Sequence, residues 1–314
     1  MWQHIGVPVG GAMDHCAHRI ANLLVGNDEQ CTALEAPLSG LALQFGTSAL
    51  IALAGRDITA SLDGRPIPAW RPFRARPGAL LVVHSGCRTT IAVAGGIDVP
   101  MVLDGRGTCL RAAFGGWQGR ALRRDDTLPI GTPSALGENI ATDLDARQRD
   151  IADWSASTTL RPAYSDAPTV RFISGPEHLL LTDASRALLL GATFRIAPES
   201  DRMGYRLTGH PLSLTASREM VSSGVTAGTI QLPQGGVPIL LMADRQTTGG
   251  YPRLGDVIAA DLPLVAQLRP GDSIRFALTT LDEAHRLHRA RAHDLADARR
   301  GLFLRFAQGA DGSR

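Results

Sequence analysis

Residues 243–252, Ala243-Asp244-Arg245-Gln246-Thr247-Thr248-Gly249-Gly250-Tyr251-Pro252, follow the apolar run Pro238-Ile239-Leu240-Leu241-Met242. The pattern predicts a buried strand that empties into a dense polar turn. An Asp, an Arg, a Gln and two Thr offer charge and hydrogen bonds of both senses. Gly249 and Gly250 can take positive φ and present bare amides to an anion. Tyr251-Pro252 fixes the exit direction. The plain alternative, a polar connection between two strands, stays open. A second polar cluster, Ser200-Asp201-Arg202-Met203-Gly204, joins two predicted strands across a charged turn. In the first half, small residues likewise precede Met13 and Asp14. Within each of Asp201-Arg202 and Asp244-Arg245 the two charges can instead pair with each other and stiffen a turn.

The elements that must position these residues are mostly short strands. Apolar runs broken by turn residues predict strands over 41–45, 49–54, 58–62, 79–83 and 90–94, with Asp63-Gly64 as a two-residue hairpin turn. In the second half strands are expected at 169–173, 192–197, 207 and 212–214, 229–232, 238–243 and 273–277. Strands about ten residues apart point to an antiparallel barrel or sandwich rather than to βαβ units. Arg76-Pro77-Gly78 and Arg269-Pro270-Gly271 each precede a strand, so the halves repeat one plan. Helices are expected after Asp14, at 184–190 with Thr182 or Asp183 as cap, and from Thr280, with Glu283 completing a capping box, to about Arg300. His285, His288 and His293 on that helix, and His15 and His18 near the start, read as surface residues, with no metal site expected. The expected division is a first domain over 1–135, a linker or excursion over 136–167, where apolar residues come singly, a second domain over 168–280, and a C-terminal helix and tail over 281–314.

Composition removes several classes of chemistry. The chain of 314 residues has 44% hydrophobic content and 20% charge, enough for a sizeable core and two domains. It contains no lysine, so all 32 basic side chains are arginine. A Walker-type phosphate loop, Schiff-base catalysis by the chain and covalent biotin on the chain each require a lysine, and all three are excluded. The net charge of +2 carries no dense basic run, so neither nucleic acid nor a membrane surface is an expected partner. Cys16, Cys31, Cys87 and Cys109 are scattered, no run approaches signal-peptide or membrane-span length, and a reduced cytoplasmic setting follows as the expectation. The glycine-rich loops Gly95-Gly96 and Phe114-Gly115-Gly116-Trp117-Gln118-Gly119 are not dinucleotide fingerprints, and remain either turns or site linings.

Taken together, Gly6 to Asp14, Ala21 to Asn27, Ala94 to Pro100, Ser200 to Gly204 and Ala243 to Pro252 resemble the allophanate hydrolase subunit 2 family of biotin-dependent carboxyltransferase-like proteins. This family includes the C subunit of 5-oxoprolinase, a region of urea carboxylase, and an antagonist of a sporulation-kinase inhibitor. The resemblance covers nearly the whole chain and implies a mainly β fold of two tandem cyclophilin-like β-barrel domains with a few short helices and a C-terminal helix. Family chains usually begin with an extra strand before Gly6, so the first domain is expected to lack an N-terminal edge strand or to be truncated. The function implied first is that of the C subunit of an ATP-dependent 5-oxoprolinase. Such a chain acts on a small-molecule lactam with a B-like partner and a hydrolytic A subunit, using ATP with Mg shared with the partner. Two alternatives are a carboxyltransferase served by biotin on another protein, and a non-catalytic antagonist of a kinase-inhibitor partner. A transferring phosphoryl group needs cations and amides. On this reading Arg202 and Arg245 supply charge, Asp201 or Asp244 binds Mg or orients donors, and Gly249 and Gly250 supply amides. Thr247 and Thr248 hold the substrate carboxylate, with Met13, Asp14, Ser200, Gln246 and Tyr251 completing the binding set.

Overall fold

The protein is described by a computed structural model over residues 2–38, 40–216 and 220–306. Asp14 accepts a hydrogen bond from the Ala17 amide at 2.9 Å and starts helix α1 (His15–Leu24), which ends before Gly26 at φ 76°. Eight strands follow: β1 (Leu34–Pro37), β2 (Leu41–Gln44), β3 (Ala49–Ala54), β4 (Thr59–Leu62), β5 (Arg65–Ile67), β6 (Pro72–Ala75), β7 (Leu80–Ser85) and β8 (Arg88–Val93). They form two antiparallel sheets, in spatial order β1-β8-β3-β6 and β2-β7-β4-β5. The Asp63-Gly64 hairpin joins β4 to β5 as expected, both residues having positive φ. β1 and β6 were not anticipated. They are edge strands containing Pro37 and Pro72, and proline weakens the strand signal but is tolerated at an edge.

β3 is buried along its whole length because both of its faces are covered. Ile51 and Leu53 belong to the core between the sheets, while Leu50, Ala52 and Ala54 pack with Ala17, Ile20 and Ala21 of α1. A strand buried on both faces reads as a continuous apolar run. The span 136–167, expected as a linker or excursion, packs into this core. Helix α2 (Ala135–Ala146) is capped by Ser134, whose hydroxyl accepts from the Gly137 amide, and it buries Ile140 and Leu144. Ala152, Ala156 and Leu160 beyond it join the same cluster.

The second half comprises β9 (Thr169–Ser174), helix α3 (Asp183–Gly191), β10 (Phe194–Ile196), β11 (Gly204–Thr208), β12 (Ser223–Gly224), β13 (Thr229–Gln231), β14 (Ile239–Leu241), β15 (Thr248–Gly249), β16 (Arg253–Val257), helix α4 (Leu262–Ala266) and β17 (Ser273–Leu278). Seven strands close a barrel in the order β10-β11-β14-β13-β16-β9-β17, and β12 pairs with β15 as a separate ribbon. The fold is thus mainly β, as the resemblance implied. Thr182 caps α3 through the Ser185 amide, as expected. The expected strand at 212–214 reduces to one bridge at Leu214, and β16 forms where no strand is expected. The paired Pro-Gly turns do repeat: Gly78 and Gly271 sit at φ 87° and 93°, and the Ala79 and Asp272 amides return to the carbonyls of Arg76 and Arg269.

Helix α5 (Leu281–Phe306) runs beyond the expected end at Arg300. Thr280 accepts from the Glu283 amide, but the Glu283 carboxylate bonds Arg286, so only half of the capping box forms. The helix returns to the first half, where Leu295 and Phe306 enter the core with α1 and α2, and His285, His288 and His293 stay exposed. The expected tail beyond Phe306 lies outside the described residues.

Candidate functional site

Two of the predicted clusters meet where the halves touch. The guanidinium of Arg202, in the turn between β10 and β11, donates to both oxygens of Asp244 at 2.8 and 3.0 Å, to Glu35 at 2.5 Å, and to the Gly11 carbonyl at 2.5 Å. The charges therefore do not pair within Asp201-Arg202 or Asp244-Arg245; Asp244 answers Arg202 from 42 residues away. Glu35 also accepts from Arg88 at 2.8 Å and from the Met13 amide at 2.8 Å. Burial by itself would raise the Glu35 pKa, but the Arg202 and Arg88 guanidiniums outweigh it and hold the carboxyl below its usual value. For Arg202 burial acts downward, and Asp244 and Glu35 reverse it, so this cation is held firmly charged.

Met13 and Asp14 are buried beneath this network. Met13 is 2% exposed and lies in the core cluster of the second-half barrel, so the first-half loop plugs the other half. Asp14 accepts from Tyr164 Oη at 2.5 Å and Gln267 Nε2 at 2.8 Å as well as capping α1. Burial raises its pKa, and the Ala17, Tyr164 and Gln267 bonds oppose that rise. Asp201 is exposed and caps its own turn through the amides of Met203 and Gly204, while Ser200 Oγ accepts from the Arg206 amide. The glycine-rich excursion folds on itself: a Cβ on Gly115 would lie 2.3 Å from the Gly107 carbonyl oxygen. It reaches the junction through Arg111, whose Nη1 donates to Met203 Sδ at 3.3 Å.

Arg245 is placed differently. It is 7% exposed, yet among the described residues no carboxylate pairs with it. Its Nε and Nη1 reach only the carbonyls of Val225 and Met242, both at the long distance of 3.4 Å. Burial pushes its pKa down, with nothing acting in the other direction. A buried cation without a counter-charge is costly, and an anionic ligand would remove the cost. The β12–β15 ribbon covers this position: Val225 donates its amide to the Thr247 carbonyl, and Thr248 and Gly249 pair with Gly224 and Ser223. Gln246 and Thr247 are half-buried there, and Thr248, Gly250 and Tyr251 are exposed at the rim.

The residues that sequence reasoning missed are Glu35, Arg88, Gln267 and Gln231. Gln267 bonds Asp14 and the Arg88 carbonyl from the second half, and Gln231 lies against Gly249. Only Gln231 carried a readable signal, a polar residue inside a predicted buried strand. Among the described residues no group of three or more His, Cys, Asp or Glu side chains could hold a metal ion, and no helix is long and apolar enough to cross a membrane.

Comparison with known proteins agrees with this architecture. The chain is 38% identical over 284 residues to the 5-oxoprolinase C subunit of Escherichia coli, covering 89% of this chain and 85% of the relative. It is 34% identical over 290 residues to the 5-oxoprolinase C subunit of Haemophilus influenzae, covering 91% and 88%. The crystal structure of Kluyveromyces lactis urea amidolyase superposes with a TM-score of 0.85 at 26% identity over 95% of this chain, which spans only 18% of that much longer protein. The carboxyltransferase domain family, subdomains A and B, matches residues 5–278, and the chain, with its sheet pair, closed barrel and arginine-rich junction, belongs to that family.

Proposed function

We propose that this chain acts as the C subunit of an ATP-dependent 5-oxoprolinase, in a cytoplasmic complex with a B-like partner and a hydrolytic A subunit. A ring amide is a poor electrophile, and converting its oxygen to a phosphoryl ester makes that oxygen a leaving group. The lactam oxygen attacks the γ-phosphorus of ATP and ADP departs. Water then adds to the ring carbon, the C–N bond breaks, and a second water releases phosphate and glutamate. The observation that supports the reading is the buried Arg245 beneath the ribbon, which no carboxylate pairs among the described residues and which an anionic substrate would neutralise. Arg202, saturated by Asp244, Glu35 and Gly11, ties the two halves together. On this reading magnesium arrives with the nucleotide and is shared with the B-like partner.

A second reading is carboxyl transfer, favoured by the superposition on urea amidolyase. It requires biotin on a separate carrier, because this chain has no lysine to modify. The deciding experiment measures ADP release on adding 5-oxoproline to this chain alone, then with its B-like partner, then with the hydrolytic A subunit. Release that depends on substrate and partner is expected. No release in any mixture, while a known complex works in parallel, would overturn the reading. Capture of a biotin carrier, or tight binding of a partner without turnover, would then separate a carboxyltransferase from a regulatory antagonist.

A further inference from the structure

A second buried donor lies under the ribbon. On β13, Ile230 enters the barrel core, so by strand alternation Gln231 faces outward, towards the ribbon. Gln231 is 1% exposed, and among the described residues its Nε2 has no hydrogen-bond partner. Buried amides are nearly always bonded, so an orphan one marks a place where a partner is missing. Its position is set by Gly249: a Cβ there would stand 2.5 Å from Nε2, so only glycine lets the ribbon lie flat on the amide. Arg245 lies under the other end of the same ribbon, where its Nε reaches the carbonyl of Val225, next to the Gly224–Thr248 pair.

We propose that Gln231 and Arg245 form a carboxylate clamp beneath the β12–β15 ribbon, and that Gln231 is a specificity-determining residue reading the acid group of the substrate. The inference rests on the lactam-activating reading and deepens it. A carboxylate is planar and accepts two N–H bonds side by side, matching one guanidinium edge and one amide. The substrate carboxylate then lies on the two buried donors rather than on Thr247, which is half-buried, and Thr248, which is exposed at the rim. The ribbon is short, two residue pairs with the Val225–Thr247 bond beside them, and carries glycine at 224 and 249.

The test uses the reconstituted complex and ADP release, with 5-oxoproline as substrate and 2-pyrrolidinone, the same ring without the carboxylate, as competitor. Gln231→Leu is expected to raise KM for 5-oxoproline about tenfold with kcat within about twofold, the loss of one hydrogen bond to a charged group. The inhibition constant of 2-pyrrolidinone should not move. Gly249→Ala, whose methyl displaces the amide, should reproduce the effect. If wild-type complex does not turn over 5-oxoproline, the lactam reading falls and the clamp with it. If wild type is active and Gln231→Leu either leaves KM unchanged or weakens 5-oxoproline and 2-pyrrolidinone alike, the clamp alone is overturned.

Discussion

Arg202 and Arg245 have the same side chain and opposite energetics. Removing Arg202 leaves Glu35 and Asp244 without their cation at a part-buried junction, so Arg202→Ala should cost about 3 kcal/mol of stability, measurable by denaturant unfolding. Arg245→Met removes an uncompensated buried charge, so it should leave the melting temperature equal or higher while complex turnover falls at least about 100-fold. A parallel loss of stability in both variants would refute the distinction. Glu35 supplies the pH dependence. Its folded pKa is depressed, so its contribution is present above the unfolded value of about 4.3 and is lost as pH falls through the folded value. Glu35→Gln should therefore flatten the fall in stability below about pH 4.3 relative to wild type. At this scale the sequence displayed the residue types and their clustering, but not which arginine was neutralised.

Elements were legible where their signals are local. The caps at Asp14, Thr182 and Thr280 were readable because a short polar side chain bonds an amide two or three residues on. The span 136–167 was not, because α2 buries only two large apolar residues, Ile140 and Leu144, and the coil after it packs through singly spaced residues such as Ala152, Ala156 and Leu160. Helix α5 stands apart from both domains in the expected division, yet Phe306 packs against Trp154 with ring centroids 5.5 Å apart, and its carbonyl accepts from Asn139 Nδ2. Phe306→Ala should accordingly cost about 3 kcal/mol, read as a lowered melting temperature. A change of less than about 0.5 kcal/mol would mean that α5 is not part of that core.

The molecule as a whole is held by polar bridges across the junction as well as by its cores. Arg56 of the first half pairs with Asp272 at 2.9 Å and donates to the Gln267 carbonyl, while Gln267 reaches back to Asp14. With Met13 seated in the barrel core, the halves should melt as one calorimetric transition, and two resolved transitions would contradict this arrangement. The sequence by itself determined the absence of lysine chemistry, the strand-rich character, the Asp-Gly hairpin and the two polar turns, because each depends on composition or on neighbours a few residues apart. Only the tertiary structure decided that Arg202 is answered by Glu35, 167 residues away, that Met13 serves the other half's core, and that no carboxylate among the described residues pairs with Arg245. Those outcomes depend on which surfaces the closed barrel and the paired sheets bring together, and no local periodicity encodes a counter-charge that distant.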